Sequence, residues 1–202
     1  MDPRIYLASR SPRRRELLTQ IGVRFDLLLF RSGQREDEEV SEDWLPGETP
    51  EAYVQRVARA KAVFGAGLLA RRPLVAHPVL AADTTLDLDG EIIGKPKDEA
   101  DATAILTRLA GRSHRVLTAI AMAKHERVEH RLSISEVRFR ALSATEIRRY
   151  VLSGEPMDKA GAYGIQGRAA VFIEEIRGSH SGIVGLPLCE TALLLRDFGY
   201  PL

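Results

Sequence analysis

Residues 5–18 of the 202-residue chain read IYLASRSPRRRELL, and they predict a short apolar strand directly before a helix. Ser11 is a residue type preferred at a helix N-cap, and Pro12 suits the first helical position. Leu17 and Leu18 then supply an apolar face to the helix. A strand that leads through a short polar turn into a helix is typical of the beginning of an α/β sheet.

The rest of the chain alternates strand patterns with helix patterns. An Asp89-Gly90 turn joins two strand-like arms and predicts a β-hairpin, and a bulge is expected near Glu136. Further strands are predicted over 25–30, 74–82, 115–122, 128–139 and 169–176. Because hairpins accompany the helices, we expect an α/β fold with a mixed, twisted β-sheet flanked by helices. The length suits one domain over residues 1–202.

Composition excludes several classes of protein. The chain has 29 basic and 28 acidic residues and a net charge of +1, so no overall field attracts it to nucleic acid or to an anionic membrane. The apolar run 74–82 is too short to cross a bilayer, and the amino end lacks a secretory signal. Cys189 is the only cysteine. We therefore expect a cytoplasmic protein that binds no membrane and no nucleic acid.

The beginning of the first helix carries an unusual charge. Arg13, Arg14 and Arg15 lie in the first turn, where exposed backbone N–H groups already disfavour cations by roughly 0.3 to 1 kcal/mol each. A bound anion would explain the arrangement, because the hydroxyl groups of Ser9 and Ser11 and the guanidinium groups could bind phosphate oxygens together. A basic, solvated helix face is the alternative interpretation.

Three other features could contribute to an anion site. Asp83 follows the apolar run and is placed at a strand end, where it could bind a cation or accept a proton, or could simply belong to a turn. Lys61 and Lys95 could neutralise phosphate, or could extend into solvent. The segment 158–167 contains three glycines, which suit either backbone contact with a ligand or a tight turn.

Motifs of other enzyme classes are absent from the sequence. The five histidines and Cys189 show no zinc-ligand spacing, which argues against a zinc site. There is no Gly-x-x-x-x-Gly-Lys-Ser/Thr motif and no Gly-x-Ser-x-Gly elbow, so the kinase-like and α/β-hydrolase interpretations are rejected.

Five separated motifs, in order along nearly the whole chain, resemble those of the Maf family of nucleotide pyrophosphatases. They are 7–18, Ala82-Asp83-Thr84, Gly94-Lys95-Pro96, 158–167 and Gly185-Leu186-Pro187. The resemblance implies an ITPase-like fold with two lobes and a central cleft, and a homodimer. It also implies a hydrolase that cleaves the α–β phosphoanhydride bond of a nucleoside triphosphate and uses a divalent cation, Mg²⁺ or Mn²⁺.

The resemblance also implies roles for individual residues. Ser9, Arg13 and Arg14 match a phosphate-binding motif, and Lys61 and Lys95 match two catalytic lysines. Asp83 matches the catalytic carboxylate, which would also bind metal. Arg13, Thr84 and Gln166 match the branch that hydrolyses dTTP and UTP, and a glutamine amide can donate to a pyrimidine carbonyl while accepting from the ring N–H.

The second carboxylate of the metal site, beside Asp83, has several candidates. Alignment backward from Leu45-Pro46-Gly47-Glu48 places Glu42 beside the metal, although Glu36, Asp37, Glu38 and Glu39 crowd the same loop. The expected activity is hydrolysis of dTTP and UTP to the monophosphate and pyrophosphate, which would cleanse the nucleotide pool. The alternatives are a 7-methyl-GTP pyrophosphatase of the same family and a non-catalytic nucleotide-binding regulator of cell division.

Overall fold

The structure is a computed structural model that describes residues 3–30, 40–72 and 74–202. Within these ranges seven strands form one sheet in the order β2-β1-β3-β5-β6-β7, and β4 pairs with the far end of β3. The strands are β1 (Ile5–Leu7), β2 (Phe25–Leu27), β3 (Val79–Leu88), β4 (Glu91–Ile93), β5 (Ser113–Lys124), β6 (Arg127–Phe139) and β7 (Ile173–Arg177). The helices are α1 (Pro12–Gln20), α2 (Pro50–Arg71), α3 (Glu99–Leu109), α4 (Ala144–Val151), α5 (His180–Val184) and α6 (Leu188–Asp197).

The sheet is mixed, which confirms the predicted fold class. β1 pairs in parallel with β2 and β3, whereas β3, β5, β6 and β7 form a continuous antiparallel ladder. β4 closes the predicted hairpin through Asp89 and Gly90, which both have positive φ values of 57° and 86°. Positive φ at both central positions is typical of a type I′ turn.

Capping side chains determine where most of the long helices begin. Thr49 accepts a hydrogen bond from the Ala52 N–H, and Asp98 accepts one from the Asp101 N–H. Ser143 and Glu146 form a reciprocal capping box. Each of these bonds satisfies a backbone donor that the helix itself leaves without a partner.

The two faces of β3 pack against different helices because side chains alternate along a strand. Val79 and Ala81 face α2, whereas Leu80 and Ala82 face the cluster that contains α1 and α6. A separate apolar cluster surrounds the far end of β3, with α3, α4 and Phe139 at its centre. The core is therefore divided into two lobes that share β3.

Several local predictions were wrong. The strand predicted over 74–82 begins at Val79 and continues to Leu88, because β5 pairs with it as far as Asp87. Asp83 therefore lies in the middle of β3 and not at a strand end. The register irregularity lies between Arg138 and Phe139, where β6 meets β7, and not near Glu136.

The two shorter strand predictions also needed correction. β2 ends at Leu27 instead of Phe30, because it pairs only with the short β1. The segment Arg168–Phe172 forms a 3₁₀-helix, and β7 begins only at Ile173. Among the described residues, no helix is both long enough and apolar enough to span a membrane.

A buried histidine lies in the lobe around α3 and α4. His114 is 3% exposed, and its Nε2 lies 2.8 Å from the Tyr163 hydroxyl oxygen. Its Nδ1 has no hydrogen-bond partner among the described residues. Burial lowers the pKa of His114 from 6.5 to about 4, because the charged imidazolium would lose its hydration.

This burial predicts an acid-sensitive stability. Between pH 6.5 and pH 4 the unfolded chain binds a proton at His114 that the folded chain does not. The free energy of unfolding should therefore fall by up to about 1.4 kcal/mol per pH unit from this group as the pH falls. Urea unfolding at several pH values gives the free energy of unfolding of the wild type and of His114→Gln. The difference between the two slopes of this free energy against pH measures the contribution of His114. His125→Asn, in an exposed turn, is the control and should keep the wild-type slope; an unchanged slope in His114→Gln would contradict the assignment.

Candidate active site

A cavity of about 1000 Å³ opens beyond the carboxyl end of β1. The last β1–β3 pair joins Leu7 to Leu80, so β3 continues past its neighbour and leaves Asp83 beside an open edge. The cavity is lined by nine of the residues that the sequence assigned to a site, namely Ser9, Arg13, Arg14, Glu42, Lys61, Asp83, Thr84, Lys95 and Gln166. Arg15, the third arginine of the first turn, is not among the residues that line it. The structure therefore brings residues from six separated segments together.

Lys61 bridges two carboxylates at the base of this cavity. Its Nζ lies 2.8 Å from Asp83 Oδ1 and 2.6 Å from Glu42 Oε1. Lys61 reaches this position because it lies on the face of α2 that packs on β3, where Ala58 and Ala62 are buried. The side chains of Lys61 and Asp83 are only 15% and 11% exposed, whereas Glu42 is 59% exposed.

The environment of Asp83 favours protonation. Burial raises the pKa of Asp83 above its ordinary value, since the ionised carboxylate is poorly hydrated there. The positive charges of Lys61 and Arg14 lower the pKa, and the negative charge of Glu42 raises it, but the loss of hydration dominates. A buried carboxylate with a raised pKa is a better proton acceptor than an exposed one.

Arg14 connects three elements at the cavity wall. Its Nε donates to the Gly185 carbonyl at 2.8 Å, and its Nη1 donates to the Ala82 carbonyl at 2.8 Å and to Ser9 Oγ at 3.3 Å. Its Nη2 donates to Thr84 Oγ1 at 3.1 Å. These four bonds occupy most of the five guanidinium donors, so Arg14 mainly joins α1, β3 and the segment after α5.

Arg13 has different surroundings from Arg14. It lines the cavity, and its charge helps to hold the pKa of Asp158, on the opposite segment, below the ordinary value. Burial alone would raise the pKa of Asp158, but the hydrogen bond and charge of Lys159, together with the charge of Arg13 and a backbone hydrogen bond, lower it by more. Arg13 is therefore the arginine of the first turn whose charge is directed across the cavity.

The amino end of α1 presents backbone donors to the cavity. Ser11 occupies the N-cap position, as predicted, but its side chain makes no capping hydrogen bond within the described part of the chain. The Ser11 N–H instead donates to Ser9 Oγ at 3.2 Å. An uncapped helix amino end beside Arg13 suits an anion, because its N–H groups and its dipole carry positive charge.

The other predicted residues lie around the cavity rim. Lys95 and Gln166 are exposed and line it from two facing segments, which a hydrogen bond between the Gly161 N–H and the Gly94 carbonyl joins at 3.0 Å. Thr84 faces α1 and not α2, since it is adjacent to Asp83 in the strand. Its hydroxyl oxygen lies 2.9 Å from Thr118 Oγ1.

Two residues that sequence reasoning missed hold Glu42 in place. Arg56 donates to both carboxylate oxygens of Glu48 and to the Asp43 carbonyl, and the Tyr53 hydroxyl donates to the Glu42 carbonyl at 2.9 Å. Burial raises the pKa of Tyr53 to about 12, so its hydroxyl remains a donor. Tyr53 and Arg56 are three residues apart and therefore share one face of α2, which was the signal present in the sequence. The alternatives Glu36, Asp37, Glu38 and Glu39 lie outside the described residues.

The carboxylates of Asp83 and Glu42 carry the oxygen donors that a divalent cation prefers. No group of three or more histidine, cysteine, aspartate or glutamate residues suited to a metal occurs within 3–30, 40–72 and 74–202. Asp83 and Glu42 nevertheless share one cation, the Lys61 ammonium group. Mg²⁺ commonly binds one or two carboxylates together with phosphate oxygens of a substrate, so this pair fits such an ion once a polyphosphate is present.

In this α/β fold, a cavity lined by arginine and lysine side chains beside a buried carboxylate suits a phosphorylated small molecule. A family model described as Maf-like protein matches residues 4–198. The chain belongs to the Maf family.

Curated relatives match over nearly the full chain. The dTTP/UTP pyrophosphatase of Aromatoleum aromaticum is 66% identical and covers 100% of this chain and 98% of its own length. The protein of the same name from Dechloromonas aromatica is 60% identical, with 98% of each chain covered. A solved structure, that of the Staphylococcus aureus Ham1 protein, is 18% identical, with a TM-score of 0.45 over 67% of this chain and 71% of its own.

The two arginines of the first turn should differ in their effect on stability. Arg14→Lys should lower the free energy of unfolding by about 1 to 3 kcal/mol, because a lysine ammonium cannot satisfy four separate acceptors. Arg13→Lys should change it by less than about 0.5 kcal/mol. Urea unfolding of both variants measures the difference, and equal losses would show that Arg14 does not connect these elements.

Proposed function

We propose that this protein hydrolyses dTTP and UTP to the nucleoside monophosphate and pyrophosphate. The observation that supports this most directly is the position of Asp83, a buried carboxylate held by Lys61 at the base of a cavity whose wall contains the uncapped amino end of α1. Relatives that are 57% to 66% identical carry the name dTTP/UTP pyrophosphatase.

The triphosphate would lie between α1 and the Lys95 segment. Arg13, Ser9 and the N–H groups at the amino end of α1 would bind its oxygens from one side, and Lys95 would bind them from the other. Because the molecule as a whole carries a net charge of only +1, this local concentration of donors supplies the affinity for the anion.

Asp83 would accept the proton of the attacking water. Lys61 contacts Asp83 Oδ1 and thereby fixes the carboxylate, which leaves Oδ2 to bind water. Attack on the α phosphorus breaks the α–β anhydride bond, and pyrophosphate leaves with the electron pair of the bridging oxygen. Arg13 and Lys95 would stabilise the negative charge that develops on the leaving phosphates.

Asp83 and Glu42 would also hold a divalent cation, Mg²⁺ or Mn²⁺. When bound, this ion would neutralise phosphate charge and lower the pKa of a bound water. The carboxylate pair supports the assignment, since it already binds one cation and has oxygen ligands only.

Gln166 would recognise the pyrimidine base. Its exposed side chain lines the cavity on a segment bounded by glycines, which allow backbone and base to approach closely. An amide can donate to a pyrimidine carbonyl and accept from the ring N–H at the same time. The sister activity, hydrolysis of 7-methyl-GTP, and a regulator that binds nucleotides without turnover are the competing assignments.

Two further properties complete the proposal. Membership of the Maf family supports a homodimer, and nucleoside triphosphates as substrates support a cytoplasmic location for a pool-cleansing enzyme. Light scattering of the purified protein tests the first, and cell fractionation tests the second. A monomer at micromolar concentration would contradict the homodimer.

The proposed chemistry predicts defined products and an essential carboxylate. With Mg²⁺, wild-type protein should convert UTP to UMP and pyrophosphate. Asp83→Asn should retain the fold and lose at least about 100-fold in kcat, because its amide cannot accept the proton. Chromatography of products with UTP, dTTP, CTP, GTP and 7-methyl-GTP measures both activity and substrate preference.

Asp26→Asn is the matched control for this experiment, since Asp26 pairs with Arg4 on the exposed surface. It should keep wild-type turnover. Release of UDP and phosphate, or preference for 7-methyl-GTP, would contradict the proposed activity. Tight UTP binding without any turnover would support the regulator instead.

The proposed metal site predicts a selective loss of cation affinity. A chelator should abolish turnover and added Mg²⁺ should restore it. Glu42→Gln should raise the Mg²⁺ concentration for half-maximal activity by about tenfold, because one of two carboxylate ligands becomes a weaker neutral one. The adjacent, exposed Asp43→Asn is the control, and equal Mg²⁺ dependence in both variants would remove Glu42 from the site.

A further inference from the structure

We propose that Tyr150 and Glu155 are positioning residues that set the base preference by holding the turn that carries Gln166. This inference rests on the proposed function, in which Gln166 contacts the base. Neither residue was assigned a role from the sequence. Together they bracket the turn 164–168 with a short chain of hydrogen bonds.

The chain of bonds contacts the turn at both of its ends. The Tyr150 hydroxyl accepts a hydrogen bond from the Gly164 N–H at 3.2 Å and donates to Glu155 Oε1 at 3.0 Å. Glu155 Oε2 then accepts a hydrogen bond from the Arg168 N–H at 3.0 Å. Gln166 lies midway between Gly164 and Arg168. Tyr150 and Glu155 therefore hold the backbone on both sides of Gln166.

Close packing strengthens the same connection. A Cβ atom on Gly167 would lie 2.0 Å from Glu155 Oε1, and one on Gly164 would lie 2.8 Å from Lys159 Cε. Contacts this short would force the turn away from its neighbours. Gly164 and Gly167, which lie on either side of the Ile165-Gln166 pair, therefore allow the Lys159 side chain and the Glu155 carboxylate to lie directly against the turn. They are not required by a positive φ, which occurs at neither.

The other side of this connection is buried and closely packed. Tyr150 is 4% exposed near the carboxyl end of α4, and its ring packs edge-on against Phe172 with the ring centres 5.2 Å apart. Burial raises the pKa of its hydroxyl, which therefore remains a donor. Lys159 fixes the start of the same region, since its Nζ donates to the Glu155 carbonyl at 2.7 Å and contacts the Asp158 carboxylate.

The position of the turn matters because a glutamine amide can form hydrogen bonds with a pyrimidine base in two orientations. Held in one orientation, the amide donates to the O4 carbonyl and accepts from the N3–H of uracil or thymine. Rotated by half a turn, it accepts from the amino group and donates to the ring nitrogen of cytosine. A fixed turn sets the position from which the Gln166 side chain reaches the base, so it favours the geometry of one pair of hydrogen bonds over the other. A loosened turn removes this preference.

Tyr150 gives the cleaner test of the two residues. Glu155 lines the cavity, so its replacement could change contacts with a ligand directly. Tyr150 is not among the described residues that line the cavity. The variant Tyr150→Phe removes only the hydroxyl group. An effect of this variant on base preference therefore passes through the turn or through Glu155, which are the two groups that the Tyr150 hydroxyl contacts.

The decisive experiment measures kcat and KM of Tyr150→Phe with UTP and with CTP. The ratio of kcat/KM for UTP to that for CTP should fall by about five- to tenfold, the size expected for loss of one or two hydrogen bonds. The loss should appear mainly in KM for UTP, with kcat changed less than about twofold. A purely structural role would lower the active fraction, and hence kcat, equally for both substrates.

Tyr200→Phe is the matched control, because Tyr200 is also buried and its hydroxyl accepts a hydrogen bond from the Arg24 N–H at 2.7 Å. It should leave the UTP-to-CTP ratio unchanged. In a Gln166→Ala background, Tyr150→Phe should have no further effect on the ratio. An unchanged ratio in Tyr150→Phe, or an equal fall without Gln166, would overturn the proposal.

Binding separates this proposal from the proposed function. The affinities for non-hydrolysable α,β-imido-UTP and α,β-imido-CTP, measured by calorimetry, should show the same fall in preference in Tyr150→Phe. Wild-type protein that binds these compounds but hydrolyses no UTP would contradict the activity and leave the binding ratio to decide on Tyr150. Should Tyr150→Phe fail to fold, Glu155→Gln decides, since it weakens the same connection; an unchanged ratio there would overturn the proposal.

Discussion

The arrangement of the site depends on one ammonium group between two carboxylates. Without Lys61, Asp83 would be a buried charge with a large hydration cost, and Glu42 would repel it across the same space. Lys61 lowers this cost, although the pKa of Asp83 remains raised. The bridge also connects three separate parts of the chain, since Lys61 belongs to α2, Asp83 to β3 and Glu42 to the segment before α2.

The sheet explains why the cavity forms where it does. β1 and β2 are short parallel strands, whereas β3 continues through an antiparallel ladder with β5. The difference in length leaves one edge of β3 uncovered, and strand alternation places Asp83 and Thr84 on opposite faces of it. α2 supplies Lys61 to one face and α1 supplies Arg14 to the other.

Sequence reasoning identified the residues of the cavity better than their roles. The resemblance to the Maf family named nine residues that the structure brings around one cavity. The sequence did not reveal that Arg14 bonds mainly to other parts of the protein, because its acceptors are backbone carbonyls from distant segments. Asp83 was placed at a strand end because local patterns do not show how far β5 extends the pairing of β3.

The bonds of Arg14 have a consequence for how the chain acquires its site. Arg14 and Gly185, which its guanidinium group joins, are 171 residues apart in the chain. Contacts between such distant residues form only after the intervening chain has been ordered, since closing a long loop costs entropy before the contact compensates for it. During synthesis Arg14 therefore completes its hydrogen bonds only after nearly the last segment of the chain has been made. A truncated chain that ends before α5 lacks part of the wall of the cavity.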